Sequence, residues 1–227
     1  MNVLITAGGT EEIIDGVRSI TNTSTGATGA AIAEKFIQKG AGVVYVHAKR
    51  ALKPSSLCEM VPFTDFSSLD SKLSELLSRE KFDAIIHAAA VSDYSVAGIK
   101  AGDKTFAPSA AVKIESDSGE GISLVLKKNF KIIERLREYS SNKNITVIGF
   151  KLTNTPDERQ RSEAVEKLLS KGGADFVAHN DLSGISAISH IVSLYSKNGV
   201  VAVFNTKVEL AEGLYSLVAR ILKGEKP

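Results

Sequence analysis

The chain has 227 residues, with 28 Lys plus Arg against 26 Asp plus Glu and a single cysteine. That length buries a full core, so one domain over 1–227 is expected, and the near-balanced charge gives no reason to expect nucleic acid or an anionic membrane as partner. Cys58 alone forbids an intramolecular disulfide, and no apolar run reaches bilayer-spanning length, so the expectation is a cytoplasmic protein.

Residues 2–6 predict a buried strand that ends in Gly-Gly rather than a secretion signal. A loop over 7–24 follows, then a helix over 26–39 with Ala30, Ile32, Ala33, Phe36 and Ile37 on one side and Gly40 just past its end. Strands are expected at 42–47 and 58–62, a helix with a Leu69, Leu73, Leu76, Leu77 stripe at 67–79, and a central strand at 82–87.

The stretch 95–121, rich in Gly, Ser, Ala and Lys, breaks this rhythm and predicts a flap or oligomer arm. Beyond it come a strand at 122–126, a helix at 129–139, a strand at 145–150, a helix at 156–171 and a strand at 175–178. A hairpin through Lys197-Asn198-Gly199 joins strands 192–195 and 200–204, and a helix over 206–222 closes the chain. Strands alternating with helices define an α/β fold of Rossmann-like, three-layer type, with a mainly parallel sheet and a C-terminal β-hairpin.

Ligands of such folds bind beyond the carboxyl ends of the strands, where 7–29, 88–94, 149–153 and 178–181 should meet. Gly8-Gly9-Thr10 follows the first strand, and Ser24-Thr25-Gly26-Ala27-Thr28-Gly29 opens the next helix. Glycine-lined amides and a helix N-terminus suit a phosphate, although either cluster alone would serve equally for tight turns and close packing.

A dinucleotide fingerprint is the obvious rival, which would make the chain an NADP-dependent reductase. It should sit directly after the first strand, and here more than a dozen residues intervene. His47-Ala48-Lys49-Arg50 holds no acid for a ribose diol, and Gly98 stands where the lysine partner of Tyr94 would be in short-chain reductases. A non-catalytic nucleotide-binding regulator is the third reading.

His87, His179 and His190 lack metal-ligand spacing. Asp93, just past the central strand, could hold Mg²⁺ against phosphate oxygens or equally serve as a turn aspartate. Lys167 and Lys171 share a helix face, which alone suggests a solvated surface. Lys113, within the apolar run 110–114 of the flap, could close over a phosphate and neutralise charge on a leaving group.

These segments together resemble the phosphopantothenoylcysteine synthetase (phosphopantothenate–cysteine ligase) family over nearly the whole chain. The resemblance rests on Ile5-Thr6-Ala7-Gly8-Gly9-Thr10 and the long string from Ile14-Asp15-Gly16-Val17-Arg18 through Asn22-Thr23-Ser24-Thr25-Gly26. It is extended by Ala88-Ala89-Ala90-Val91-Ser92-Asp93-Tyr94, Lys113-Ile114, Lys128-Asn129, Ile148-Gly149-Phe150 and Asn180-Asp181.

The resemblance implies two steps. The carboxylate of 4'-phosphopantothenate attacks the α-phosphate of CTP, giving an acyl-cytidylate and pyrophosphate. The amine of L-cysteine then displaces CMP to form the amide.

By the same resemblance Lys113 assists acyl-nucleotide formation, Asn22 handles the mixed anhydride, and Arg18 lies near the substrate phosphate or the intermediate. Ser24 and Gly26 would meet the nucleotide phosphates, to which the glycine turn itself adds Gly8, Gly9 and Thr10, and Asp93 would hold Mg²⁺ (or Mn²⁺). Ala88, Ala89 and Phe150 would read the pyrimidine, and Asn129, Lys167 and Lys171 would contact the nucleotide.

The chain departs from the family pattern at Lys113-Ile114-Glu115-Ser116, at Lys151-Leu152 after Gly149-Phe150, and at Lys128-Asn129-Phe130-Lys131, where an acid expected near the ribose is missing. These departures are similar to a stand-alone bacterial subgroup, without a fused flavin-binding decarboxylase. The resemblance also implies a homodimer whose arm, here 95–121, reaches the neighbour's site.

Overall fold

The computed structural model describes residues 1–109, 111, 113–114, 121–171, 173–184 and 190–225. Its strands and helices run in the order β1 (Asn2–Ala7), β2 (Glu11–Ile13), β3 (Ser19–Thr21), α1 (Ala27–Gln38), β4 (Gly42–Ala48), β5 (Glu59–Phe63), α2 (Phe66–Arg79) and β6 (Ala84–His87). Then follow β7 (Tyr94–Ala101), β8 (Lys104–Phe106), β9 (Ile122–Lys128), α3 (Leu136–Tyr139), β10 (Thr146–Thr153), α4 (Glu158–Ser170), β11 (Phe176–Asp181), β12 (Val192–Ser196), β13 (Gly199–Phe204) and α5 (Lys207–Leu222).

The main sheet has the order β13-β12-β11-β10-β6-β1-β4-β5, parallel from β5 to β11 and antiparallel through the closing hairpin. Successive strand residues point to opposite faces, and here both faces are covered. Val3 and Ile5 of β1 join Ala33, Phe36, Leu214 and Val218 of α1 and α5 on one side. Leu4 joins Leu69, Leu73, Val165 and Leu169 of α2 and α4 on the other. That is why β1, β4 and β6 read as unbroken apolar runs.

Chain order reverses between β1 and β6, since β4 and β5 build outward on one side and β6 and β10 on the other. Loops leaving two such strands usually diverge and open a crevice. Here they first travel together. Gly9 bridges Ala90, Thr10 donates its N–H to the Ala90 carbonyl at 3.1 Å, and Ala90 donates to the Gly8 carbonyl at 2.8 Å.

Three expectations are revised. The loop over 7–24 contains the antiparallel pair β2–β3. The expected arm begins as ordered structure, with β7 paired to β8 and β9 in a separate three-stranded sheet. Positions 110, 112 and 115–120 of that arm, including Glu115 and Ser116, lie outside the described residues. The helix expected at 129–139 shrinks to a single 3-10 turn at Ile132–Glu134 and the short α3. Its first residues are drawn elsewhere: Asn129 donates its N–H to the Asp93 carbonyl at 2.8 Å, and Phe130 packs edge-on to Phe66 under the Arg135 guanidinium. Tertiary contacts outweigh helix propensity there.

Candidate functional site

Beyond the carboxyl ends of β6 and β10 lies a pocket of about 710 Å³, in the size range of small-molecule sites. Its floor includes His87, Ala89 and Phe150; α4 contributes Lys167 and Lys171; the 128–134 segment forms the facing wall. Five lysines line it (Lys128, Lys131, Lys151, Lys167 and Lys171) against the carboxylates Asp93, Glu134 and Glu163. Ammonium groups converging on a partly apolar cleft suit a polyanion with a flat, stackable part.

His87 is buried. Thr6 Oγ1 accepts the Ala89 N–H at 3.0 Å and is hydrogen-bonded to His87 Nδ1, also at 3.0 Å. Burial pushes the imidazole down to about 4, which keeps it uncharged near neutrality.

Asp93 stands at the rim, paired with the ammonium of Lys131, both more than half exposed. The Asn129 carboxamide donates Nδ2–H to the Ser92 carbonyl at 3.1 Å, so it braces the 88–94 segment. Among the described residues no cluster of three His, Cys, Asp or Glu side chains could hold a metal. The donor set therefore does not fit a cation held by protein alone. A divalent ion would take most of its ligands from phosphate oxygens, with Asp93 released from Lys131.

The residues singled out at the two glycine turns gather on the far side of the 88–94 segment. Thr10 is fully buried, its Oγ1 accepting the Ser92 N–H at 2.9 Å. The two glycine turns meet: a Cβ on Gly26 (φ 72) would lie 3.3 Å from the Gly8 nitrogen and 2.8 Å from the Ala51 Cβ. A Cβ on Gly9 would come within 2.3 Å of the Asn22 carbonyl oxygen. The missing side chains thus permit close packing, and none of Gly8, Gly9, Thr10, Ser24 and Gly26 lines the lysine pocket. α1, which Gly26 opens, differs from α2, α4 and α5 in having no side-chain cap, and its first turn carries no acid. Its first amides remain suited to an anion.

Arg18 and Lys113 do not line the lysine pocket either. Arg18 donates to Asp15 through Nε at 2.9 Å and Nη2 at 2.5 Å, and Nη2 donates to the Ile114 carbonyl at 2.7 Å. Lys113 is exposed beside it. The structure therefore brings together Asp93, Ala89, Asn129, Phe150, Lys167 and Lys171 around one pocket, with Asn22 and Gly26 at the glycine turns, Ser24 between them in the chain, and Arg18 apart from both at the β2–β3 turn, bound to Ile114, the residue after Lys113. Ala88 sits on the segment between the pocket and the glycine turns. Lys131 stands out in the sequence only as a departure from the family pattern, and Asp15 only as a letter of the motif. The signal for Asp15 is its i, i+3 spacing to Arg18.

Residues 1–222 match the model of the DNA/pantothenate metabolism flavoprotein C-terminal domain family. The chain belongs to this family. Members include the coenzyme A biosynthesis bifunctional protein CoaBC of Thermococcus kodakarensis, to which the chain is 32% identical over 97% of its own length and 51% of the relative. The chain thus spans about half of that protein. A crystal structure of the DNA/pantothenate metabolism flavoprotein from Streptococcus pneumoniae superposes with a TM-score of 0.86 at 33% identity, covering 97% of this chain and 99% of that one. The C-terminal domain of a CoaBC gives 0.72 at 26% identity, over 99% and 96%. The observed architecture is thus the family's Rossmann-like α/β fold. No helix among the described residues is long and apolar enough to cross a membrane.

Proposed function

We propose that the chain is a phosphopantothenate–cysteine ligase that joins L-cysteine to 4'-phosphopantothenate at the expense of CTP. The observation that carries this reading is the lysine-lined pocket at the ends of β6 and β10 in a chain that matches the family over 1–222. Lys167 and Lys171 meet the phosphates, Phe150 and the backbone at Ala88 and Ala89 meet the pyrimidine, and neutral His87 closes the floor without repelling either.

The carboxylate of 4'-phosphopantothenate displaces pyrophosphate from the α-phosphate to give the acyl-cytidylate. Lys113 offsets the charge growing on the leaving group. Asn22 then holds the mixed anhydride while the cysteine amine attacks its carbonyl and CMP departs. Arg18 and the open N-terminus of α1, with Ser24 and Gly26, receive the phosphate of the pantothenate substrate or the intermediate. Asp93 would hold a divalent cation, Mg²⁺ (or Mn²⁺), whose charge would offset that of the triphosphate. The chain acts as a homodimer, supported by apolar side chains left exposed on the three-stranded sheet, Tyr94, Ile122, Val125 and Leu126.

A coupled pyrophosphate assay tests this, comparing CTP with ATP and omitting each substrate in turn. Release that requires 4'-phosphopantothenate, with turnover requiring cysteine, is the expected result. No pyrophosphate under any combination overturns the reading.

A further inference from the structure

The turn between β2 and β3 holds a buried carboxylate that does two separate jobs. Asp15 is 4% exposed. Its Oδ1 accepts the N–H groups of Val17 at 3.0 Å and Arg18 at 2.8 Å, which is all the turn itself needs. Its Oδ2 faces away from the turn. That oxygen accepts from Arg18 Nε and Nη2 and, at 3.0 Å, from the backbone N–H of Ile114, which is 99 residues away in the chain. Arg18 Nη2 completes the loop by donating to the Ile114 carbonyl at 2.7 Å. Both polar groups of one flap residue are therefore fixed by one ion pair.

The Ile114 side chain adds an apolar anchor, buried with Val96 and Ile99 against Ile14, Phe106 and Leu124. Burying a carboxylate is unfavourable unless it is paired and fully hydrogen-bonded. This one has both compensations, with Arg18 the first of several groups holding its pKa well below the ordinary carboxylate range.

The residue immediately before this anchor is Lys113. We infer that Asp15 is a positioning residue: with Arg18 it latches the flap at Ile114 and so fixes where the Lys113 ammonium can reach. This inference rests on the ligase reading for the role of Lys113, while the latch itself stands on geometry alone. Misplacing a reacting group by about 1 Å costs roughly 10²-fold in rate, which is the scale on which such a latch acts.

Asp15→Asn is the selective probe. An amide can keep its oxygen on the Val17 and Arg18 N–H groups, which leaves its NH₂ facing the donors that Oδ2 accepted. The latch breaks while the turn persists.

Three readouts follow from the intact chain. Tryptic cleavage after Lys113, followed by mass spectrometry, should quicken about tenfold or more as the local opening becomes easier, with cleavage after Lys104 unchanged. The kcat for pyrophosphate release should fall roughly tenfold or more while the KM for CTP stays within about twofold. In a Lys113→Gln background the same substitution should cost clearly less kcat than in the wild type, because one of the two cations it positions, Arg18 and Lys113, is gone.

Unchanged cleavage after Lys113 in a folded Asp15→Asn protein would sink the latch, and so would an additive effect in the double mutant. If Asp15→Asn does not fold, Arg18→Lys, which keeps the charge and loses the fork, takes its place in the cleavage assay. Faster cleavage after Lys113 then supports the latch, and an unchanged rate removes it. A wild-type protein that releases no pyrophosphate overturns the ligase reading instead, and the cleavage assay still decides the latch.

Discussion

The lysine pocket and the β2–β3 turn use charge in opposite ways. In the pocket, five ammonium groups stand around a cavity, and the ion pair at its rim, Asp93 with Lys131, is more than half exposed on both sides. Such pairs contribute about 0–1 kcal/mol and exchange partners readily. At the turn a single carboxylate is buried, with both oxygens occupied by protein donors. The first arrangement is built to take up a ligand's charge, the second to hold a backbone still. Substitutions in the pocket should therefore be read in binding, and substitutions around the latch in rate.

The largest effect should come from Lys113→Gln, which removes the cation set by the latch. It is expected to lower pyrophosphate release by about 10²-fold or more with KM little changed and an unaltered melting temperature. A rate within a few-fold of wild type would place the leaving-group cation elsewhere. Asn22→Asp should leave the first step running and block the second, so that the acyl-cytidylate accumulates to a level seen by mass spectrometry. No accumulation, with normal turnover, would remove Asn22 from the chemistry.

On the pocket side, Lys167→Ala with Lys171→Ala should raise the KM for CTP about tenfold and leave kcat nearly unchanged, reversing the split expected at the latch. A fall in kcat alone would erase the distinction between the two regions.

His87 gives a pH signature. Its folded pKa, about 4, lies below the ordinary 6.5, so the unfolded chain takes up the proton first. Stability should then fall as pH drops from about 6.5 to about 4, by on the order of 3 kcal/mol in total. Thermal melts at pH 7.5 and 5 measure it, and His87→Gln should flatten that limb.

The smallest expected effect is that of Lys131→Met, a shift of about threefold or less in CTP affinity, larger without divalent cation than with it. Equal shifts under both conditions would show that Lys131 and a metal do not compete for Asp93.

Much of this is legible in the residues, for identifiable reasons. β1, β4 and β6 are buried on both faces and announce themselves as apolar runs, and α2 shows its leucine stripe at the helical period. β2 and β3 are three residues each, too short to show a period. β7 includes Ser, Gly and Lys residues that disfavour strands, and it is held by pairing with β9, which no local pattern reports. Within the site, Gly8, Gly9 and Gly26 suggest a phosphate cradle, yet the space their side chains would fill is taken by Ala48, Ala51 and Asn22. The pairing of Asp15 with Arg18 can be read from their spacing, but its hold on the flap cannot, because Ile114 is 99 positions away.

The 88–94 segment joins the lysine pocket to the glycine turns at the end of β1. One face fronts the lysine pocket through Ala89 and Asp93, while the other is stitched to Gly8 and Thr10 through Ala90 and Ser92. A nucleotide in the pocket and a substrate held near the glycine turns would press on the same few peptide groups, and any change one makes in the affinity for the other is returned by the same factor.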